Sequence, residues 1–208
     1  MAMKRKNDLP EKVDALAQSK SIEIEKYLKA KLERKRYKHV LSVRDTAVDL
    51  ARIYEADLEK TNLAALLHDC AKWMNTRQLY EAVADYEIQL DEFEQIHTSL
   101  LHAIVGAELA IALFSVTDEE ILGAIRSHTK GNRSMTLLDK ILYVADFAEP
   151  RRTYEEASTV LKLAHQDVDQ GVFEVARHKI FNLLEKGVVI HPNTVAVYNG
   201  ALRKIDES

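Results

Sequence analysis

LAALLHDCAKW, residues 63–73, is the stretch from which the rest of this chain is best read. Leu63 to Leu67 are apolar without alternation, too uniform for a half-exposed strand, and they predict a helix that faces a core on most sides. His68 and Asp69 close the run. An ionised carboxylate in such a place is costly unless a cation or a hydrogen-bond network compensates it. The segment therefore predicts both a buried helix and a reason to look elsewhere for the groups that satisfy its polar end.

Working outward, the same character persists. The chain has 208 residues with only 6 Gly and 3 Pro, and its apolar residues fall in long blocks, which argues against a turn-rich β protein. An all-α fold is expected, one helical domain over residues 19–208 preceded by a polar extension, residues 1–18, that is loosely docked. From Ser21 the pattern is helical (Ile22, Tyr27, Leu28, Leu32), and a longer helix spans 36–56 with Val40, Val43, Ala47, Leu50 and Ala51 at helical spacing. Asp57 opens a third helix that runs through Lys72, and one or two short helices fall within 74–97. Residues 98–114 form an almost wholly apolar helix. Thr117-Asp118 caps a helix through His128, Gly131-Asn132 breaks it, and Thr136 opens another that Pro150 stops. Helices around 154–164 and 167–186 follow, the latter ended by Gly187, and Thr194 caps a last helix to about Ile205.

The net charge of −4 excludes general nucleic-acid binding as a whole-protein property, and Lys4, Arg5 and Lys6 read as a solvated tail. One cysteine allows no internal disulfide, and no apolar run approaches the ~18 residues of a membrane span. The expected setting is a soluble, cytoplasmic one, with no nucleic-acid or membrane partner.

The groups that could answer His68 and Asp69 lie on other predicted helices: His39 upstream, then His102, His128 and Asp146 downstream. Taken alone, His39, His102 and His128 are each more often satisfied core residues than ligands, and the His68–Asp69 pair is as readily one as the other. Asp146 is harder to explain as structure, because it sits late in its helix among Val144, Ala145 and Phe147, where the dipole disfavours a carboxylate. Imidazoles with carboxylates suit a borderline transition metal or a mixed di-metal site, the outline of a metal-dependent phosphohydrolase. Lys72, one helical turn past His68, is either a surface lysine or a group that offsets phosphate charge. Thr129, Gly131 and Arg133, just past His128, and Arg151 are candidate phosphate contacts, with a solvated loop as the alternative. His97, His165, His178 and His191 are assigned surface or loop roles.

The order of these residues resembles the HD-domain superfamily of metal-dependent phosphohydrolases. Within it the chain is most similar to the YqeK-like branch, the symmetrical diadenosine tetraphosphate hydrolases. The segments that carry the resemblance are 36–51, 63–72, 100–110, 125–152 and 185–199, with the block from His128 to Arg151 the most specific. The resemblance implies an all-α fold and two divalent metal ions, iron by the usual description, with manganese or another divalent metal as the alternative. It implies that His39, His68, Asp69 and Asp146 hold one metal, and that His102 and His128 hold the second with Asp69 bridging. It implies symmetrical cleavage of a dinucleoside polyphosphate to two ADP by a hydroxide held between the metals, with Asp69 and Lys72 as the catalytic pair. Another nucleotide phosphohydrolase activity, on a mononucleotide or a guanosine alarmone, a non-catalytic nucleotide or metal sensor, and a helical scaffold with core histidines are the other readings, and a homodimer is left open.

Overall fold

The computed structural model describes residues 8–206, with side-chain surroundings for residues 19–205, and the described residues form eleven helices and no strand. The helix expected from Ser21 begins at Asp8 (α1, Asp8–Lys31). Pro10 falls in its first turn, where a missing N–H costs nothing, so nothing stops the helix from extending backwards across the boundary expected at residue 18. Residues 1–7 of the expected extension lie outside the described residues.

The next elements are α2 (Arg34–Ile53), α3 (Leu58–Leu67), α4 (Thr76–Asp85), α5 (Glu92–Ile96), α6 (Thr98–Phe114) and α7 (Glu119–Ser127). They are followed by α8 (Leu137–Ala148), α9 (Glu156–Gln166), α10 (Val168–Glu185) and α11 (Pro192–Asp206). The all-α class stands. α3 is the central element, touched by α1, α2, α6, α7 and α8, and its residues Leu63–Leu67 are buried all round. α8 lies across α2, α3 and α7 on one side and α9 and α10 on the other, and α10 pairs with α11.

Most helix starts follow the capping signals. Asp57 accepts the N–H groups of Glu59 and Lys60, Asp118 those of Glu120 and Ile121, and Thr136 forms a reciprocal box with Asp139. Gly187 ends α10 in the left-handed region at φ 61°. Two expected boundaries move. α3 stops at Leu67 rather than Lys72. Beyond it Cys70, Lys72 and Met74 bond the carbonyls three residues back, a tightened run that carries the chain off the α-helical path. The last helix starts at Pro192 rather than behind a Thr194 cap. The Asn193 N–H donates to His191 Nδ1 and Thr194 Oγ1 instead donates to the Lys130 carbonyl, tying α11 to the loop after α7.

Candidate metal centre

Five helices deliver six side chains to one point. His39 comes from α2, His68 and Asp69 from the end of α3, His102 from α6, His128 from the end of α7 and Asp146 from α8. All are buried except Asp146, whose side chain keeps 17% of its exposure. The tightened turns after Leu67 place His68 and Asp69 on the same side, which a continuing α-helix would set about 100° apart.

The two oxygens of Asp69 face different groups. Oδ2 is 3.4 Å from His68 Nε2 and 3.8 Å from His39 Nε2, and these imidazoles lie 3.9 and 3.2 Å from Asp146 Oδ1. Oδ1 is 3.3 Å from His102 Nε2 and 3.9 Å from His128 Nε2, which are 3.2 Å from each other. The four rings form a chain of edge-on neighbours, His39–His68–His128–His102, with centroid steps of 5.6, 5.0 and 5.1 Å.

The outer nitrogens set the tautomers. His68, His102 and His128 each place Nδ1 within 2.7–2.8 Å of the carbonyl three residues back (Ala65, Ser99, Ile125), and His39 Nδ1 lies 3.0 Å from Glu149 Oε1. With Nδ1–H donating, the neutral ring turns an Nε2 lone pair inward, as metal-ligating histidines do. His39 Nε2 and His68 Nε2 are buried with no hydrogen-bond partner. The Nε2 atoms of His102 and His128 would repel each other unless positive charge sits between them.

Electrostatics point the same way. Burial would raise the Asp69 pKa, yet the adjacent imidazoles of His68 and His102 hold the carboxyl well below its usual range. Burial likewise opposes ionisation of Asp146, but the imidazoles of His39, His68 and His128 around it keep its pKa low. Burial and the charges of His68 and His102 push His128 far down, whereas burial of His68 is outweighed by Asp69 and Asp146 and its pKa rises. Two ionised carboxylates in a buried cluster call for cations, and the donor set of imidazole nitrogens and carboxylate oxygens fits divalent metals.

This arrangement coincides with a family model: residues 36–149 match the HD domain, and that span reaches from the approach to His39 to Glu149. The chain belongs to the HD-domain family. It is 36% identical over 83% of its length to a Bacillus subtilis protein named bis(5'-nucleosyl)-tetraphosphatase, symmetrical, covering 92% of that protein. A Staphylococcus aureus protein of the same name is 34% identical over 82% of this chain and 89% of its own. The crystal structure of an HD superfamily hydrolase from Clostridium acetobutylicum, described as involved in NAD metabolism, superposes with a TM-score of 0.83. It is 36% identical, over 88% of this chain and 96% of that one.

Around the HD pair, the expected substrate contacts separate. Lys72 and Thr129 line a cavity of about 230 Å³ that opens on His102, with Lys72 Nζ 2.9 Å from His102 Nδ1 and the Thr129 hydroxyl buried without a partner. Arg151 lines a second cavity, of about 350 Å³, on the His39 side. Arg133 is exposed and lines neither, falling instead beside Lys140 and Asp169. Gly131 does not reach the centre as a phosphate donor: its N–H is taken by the Ser127 carbonyl at 2.7 Å. At φ 73° it is packed against Tyr143 and Val197, and a Cβ would collide with Val197 Cγ2.

Four residues near the HD pair go unread in the sequence. Arg36 pairs with Asp69 Oδ2 at 2.9 Å, Arg152 with Asp146 Oδ1 at 3.0 Å, and Glu149 holds His39. Lys179 of α10 donates to the carbonyls of His128 and Thr129 and lies 3.7 Å from the Tyr143 ring centroid, with burial pulling its pKa down to about 8. Glu149 had a signal, since it follows Asp146 by three residues on the same helical face. Lys179 had none, because its helix reads as polar and remote. The surface role expected for His191 is overturned: it is 6% exposed, bonded to Asp91 at 2.9 Å and packed on Phe93.

Proposed function

We propose that this chain is a metal-dependent hydrolase that cleaves diadenosine tetraphosphate symmetrically, adding water across the central phosphoanhydride and releasing two ADP. The observation that carries the reading is the Asp69 carboxylate, whose two oxygens each face a separate set of imidazoles, in a chain whose bacterial relatives are named for this reaction. In this proposal His39, His68, Asp69 and Asp146 would hold one divalent cation, and His102 and His128 would hold the other with Asp69 shared, iron being the metal and manganese the alternative.

When bound, such a pair supplies Lewis acidity, which activates water at neutral pH and neutralises phosphate oxygens. The chain's own residues then do the positioning. Asp69 fixes the distance between the two ligand groups, and the carbonyls of Ala65, Ser99 and Ile125 keep the imidazoles in the ligating tautomer. Lys72 and Thr129 meet phosphate oxygens on the His102 side, and Arg151 on the His39 side. All of these residues come from one chain, so the proposal needs no second copy. A reducing, cytoplasmic setting accords with the free, buried Cys70, and no helix among the described residues is long and apolar enough to cross a membrane.

The test is product analysis by ion-exchange chromatography after incubation with diadenosine tetraphosphate and ferrous or manganous ion. ADP as the only product is expected. AMP with ATP would place the attack elsewhere on the phosphate chain, and absence of turnover by protein carrying bound metal would sink the reading. NAD belongs in the same substrate panel, because the solved Clostridium relative is described by that metabolism. Asp69→Ala should abolish turnover and metal retention while leaving the helical content intact, and full activity in that variant would overturn the assignment.

A further inference from the structure

The chain of imidazoles has two ends, and a cavity opens at each. The cavity of about 230 Å³ is lined by His102, the terminal ring on one side, and the cavity of about 350 Å³ by His39, the terminal ring on the other. The two share no lining residue.

Their chemistry is matched in kind though not in residues. The His102 cavity presents the amines of Lys72 and Lys179, neither paired with a carboxylate among the described residues, beneath carbon walls from Leu100, Leu183 and Val189. No carboxylate lines it, and its third amine, Lys130, is held by Glu94. The His39 cavity presents the exposed Lys35 and Arg151 with the ring of Tyr154. Its Arg36 and Arg152 already pair with Asp69 and Asp146, and its carboxylates are Glu33 and Glu149, the latter occupied by His39 and the Arg151 N–H. Each cavity thus sets basic side chains that no carboxylate pairs beside an apolar or aromatic wall, which is what a nucleoside with a short phosphate chain requires.

We propose that these are two separate nucleoside diphosphate sites, one per cavity, and that the substrate lies along the row of imidazoles with its central anhydride over Asp69. This rests on the proposed dinucleotide reading and adds to it which surface takes each half. A chemically symmetric substrate would then be held by two unlike half-sites: an amine-and-aliphatic one walled by α6 and α10, and a guanidinium-and-tyrosine one formed by the start of α2 and the segment after α8. Because each half-site is complete without the other, each should bind the product alone.

The experiment is titration calorimetry of ADP into the manganese-loaded full chain, with Val189→Glu and Arg151→Glu as probes. Both residues are exposed and outside the ligand set. The expected result is two ADP per chain for the unaltered protein and one for each variant, with no binding by the double variant. A stoichiometry of one in the unaltered protein overturns the inference, and so does a double variant that retains the site left in either single one. Cleavage of diadenosine tetraphosphate to ADP by a protein that binds one ADP would refute the two half-sites alone. Two ADP bound without any cleavage would instead refute the proposed reaction.

Discussion

At the scale of single residues, the centre is defined as much by what stands behind the ligands as by the ligands. Glu149 is 2% exposed and turns Oε1 to His39 Nδ1 at 3.0 Å. Burial alone would raise its pKa, but hydrogen bonds from His39 and Ser42 keep it below the ordinary range, so it stays ionised and makes His39 a stronger donor on its inner face. Glu149→Gln keeps the shape and an acceptor but removes the charge. It should weaken metal affinity by about 10–100-fold, the usual cost of losing an outer partner, while kcat recovers at saturating metal. Metal titration followed by activity at excess metal checks this, and unchanged affinity would mean that Glu149 merely fills space. His68, Asp69, His102 and Asp146 are legible in the sequence as polar residues within apolar runs, and His39 and His128 by their helical spacing to apolar positions. Arg36, Arg152 and Lys179 are not, because a long cationic side chain in a polar segment looks the same whether it reaches solvent or curls back to a buried acid.

At the scale of elements, three helices aim their C-terminal ends at the cluster. His68 and His128 are the residues that end α3 and α7, and Asp146 lies two residues before the last of α8. The partial negative charge of those ends adds to the carboxylates and favours cations between them. Helix starts are largely predictable, since Asp57, Asp118 and Thr136 carry their caps in their side chains. Helix ends are less so: α3 leaves the α-helical path at His68 with no Gly or Pro to announce it, and the left-handed residues Glu55, Glu87 and Ser115 end helices without a glycine. The α7–α8 junction offers a test. Asp139, 4% exposed, accepts the Thr136 N–H at 2.8 Å and the Ser127 hydroxyl at 3.1 Å, and burial, ahead of these opposing hydrogen bonds, raises its pKa. Because the folded-state pKa lies above the unfolded one, ionised Asp139 costs stability, and that cost disappears as pH falls through the raised value. Asp139→Asn can still accept from Thr136 with Oδ1 and donate to Ser127 with Nδ2. It should therefore melt higher relative to the parent at neutral pH than at pH values near the ordinary carboxylate pKa. A melting difference independent of pH would contradict the raised pKa, and Asp139→Ala, which orphans both donors, should be destabilised at every pH.

At the scale of the whole molecule, the ligand residues come from α2, α3, α6, α7 and α8, so bound metal would tie together helices that otherwise meet mainly through apolar packing. That packing is extensive without it: Val40, Val43, Ala47 and Leu50 of α2, Leu66 and Leu67 of α3, Leu101 and Val105 of α6 and Ile141 and Leu142 of α8 are wholly or almost wholly buried. The apolar core should therefore fold the chain on its own, and the cations should add stability by binding the native state alone, since only there do the five helices converge. A ligand at a thousand times its dissociation constant adds about 4 kcal/mol, and in a chain of this size each kcal/mol moves the melting temperature by about 2–4 °C. Chelation should accordingly lower melting by roughly 10 °C while far-UV circular dichroism at room temperature is preserved. Two outcomes would separate the causes. Asp69→Ala should melt at one temperature with or without chelator, because it has lost the bridge that both groups share. An unaltered chain whose melting ignores the chelator would show that the inward-facing imidazoles hold no metal, and the raised pKa of His68, caused by Asp69 and Asp146 against its burial, would then make stability fall as pH rises through it.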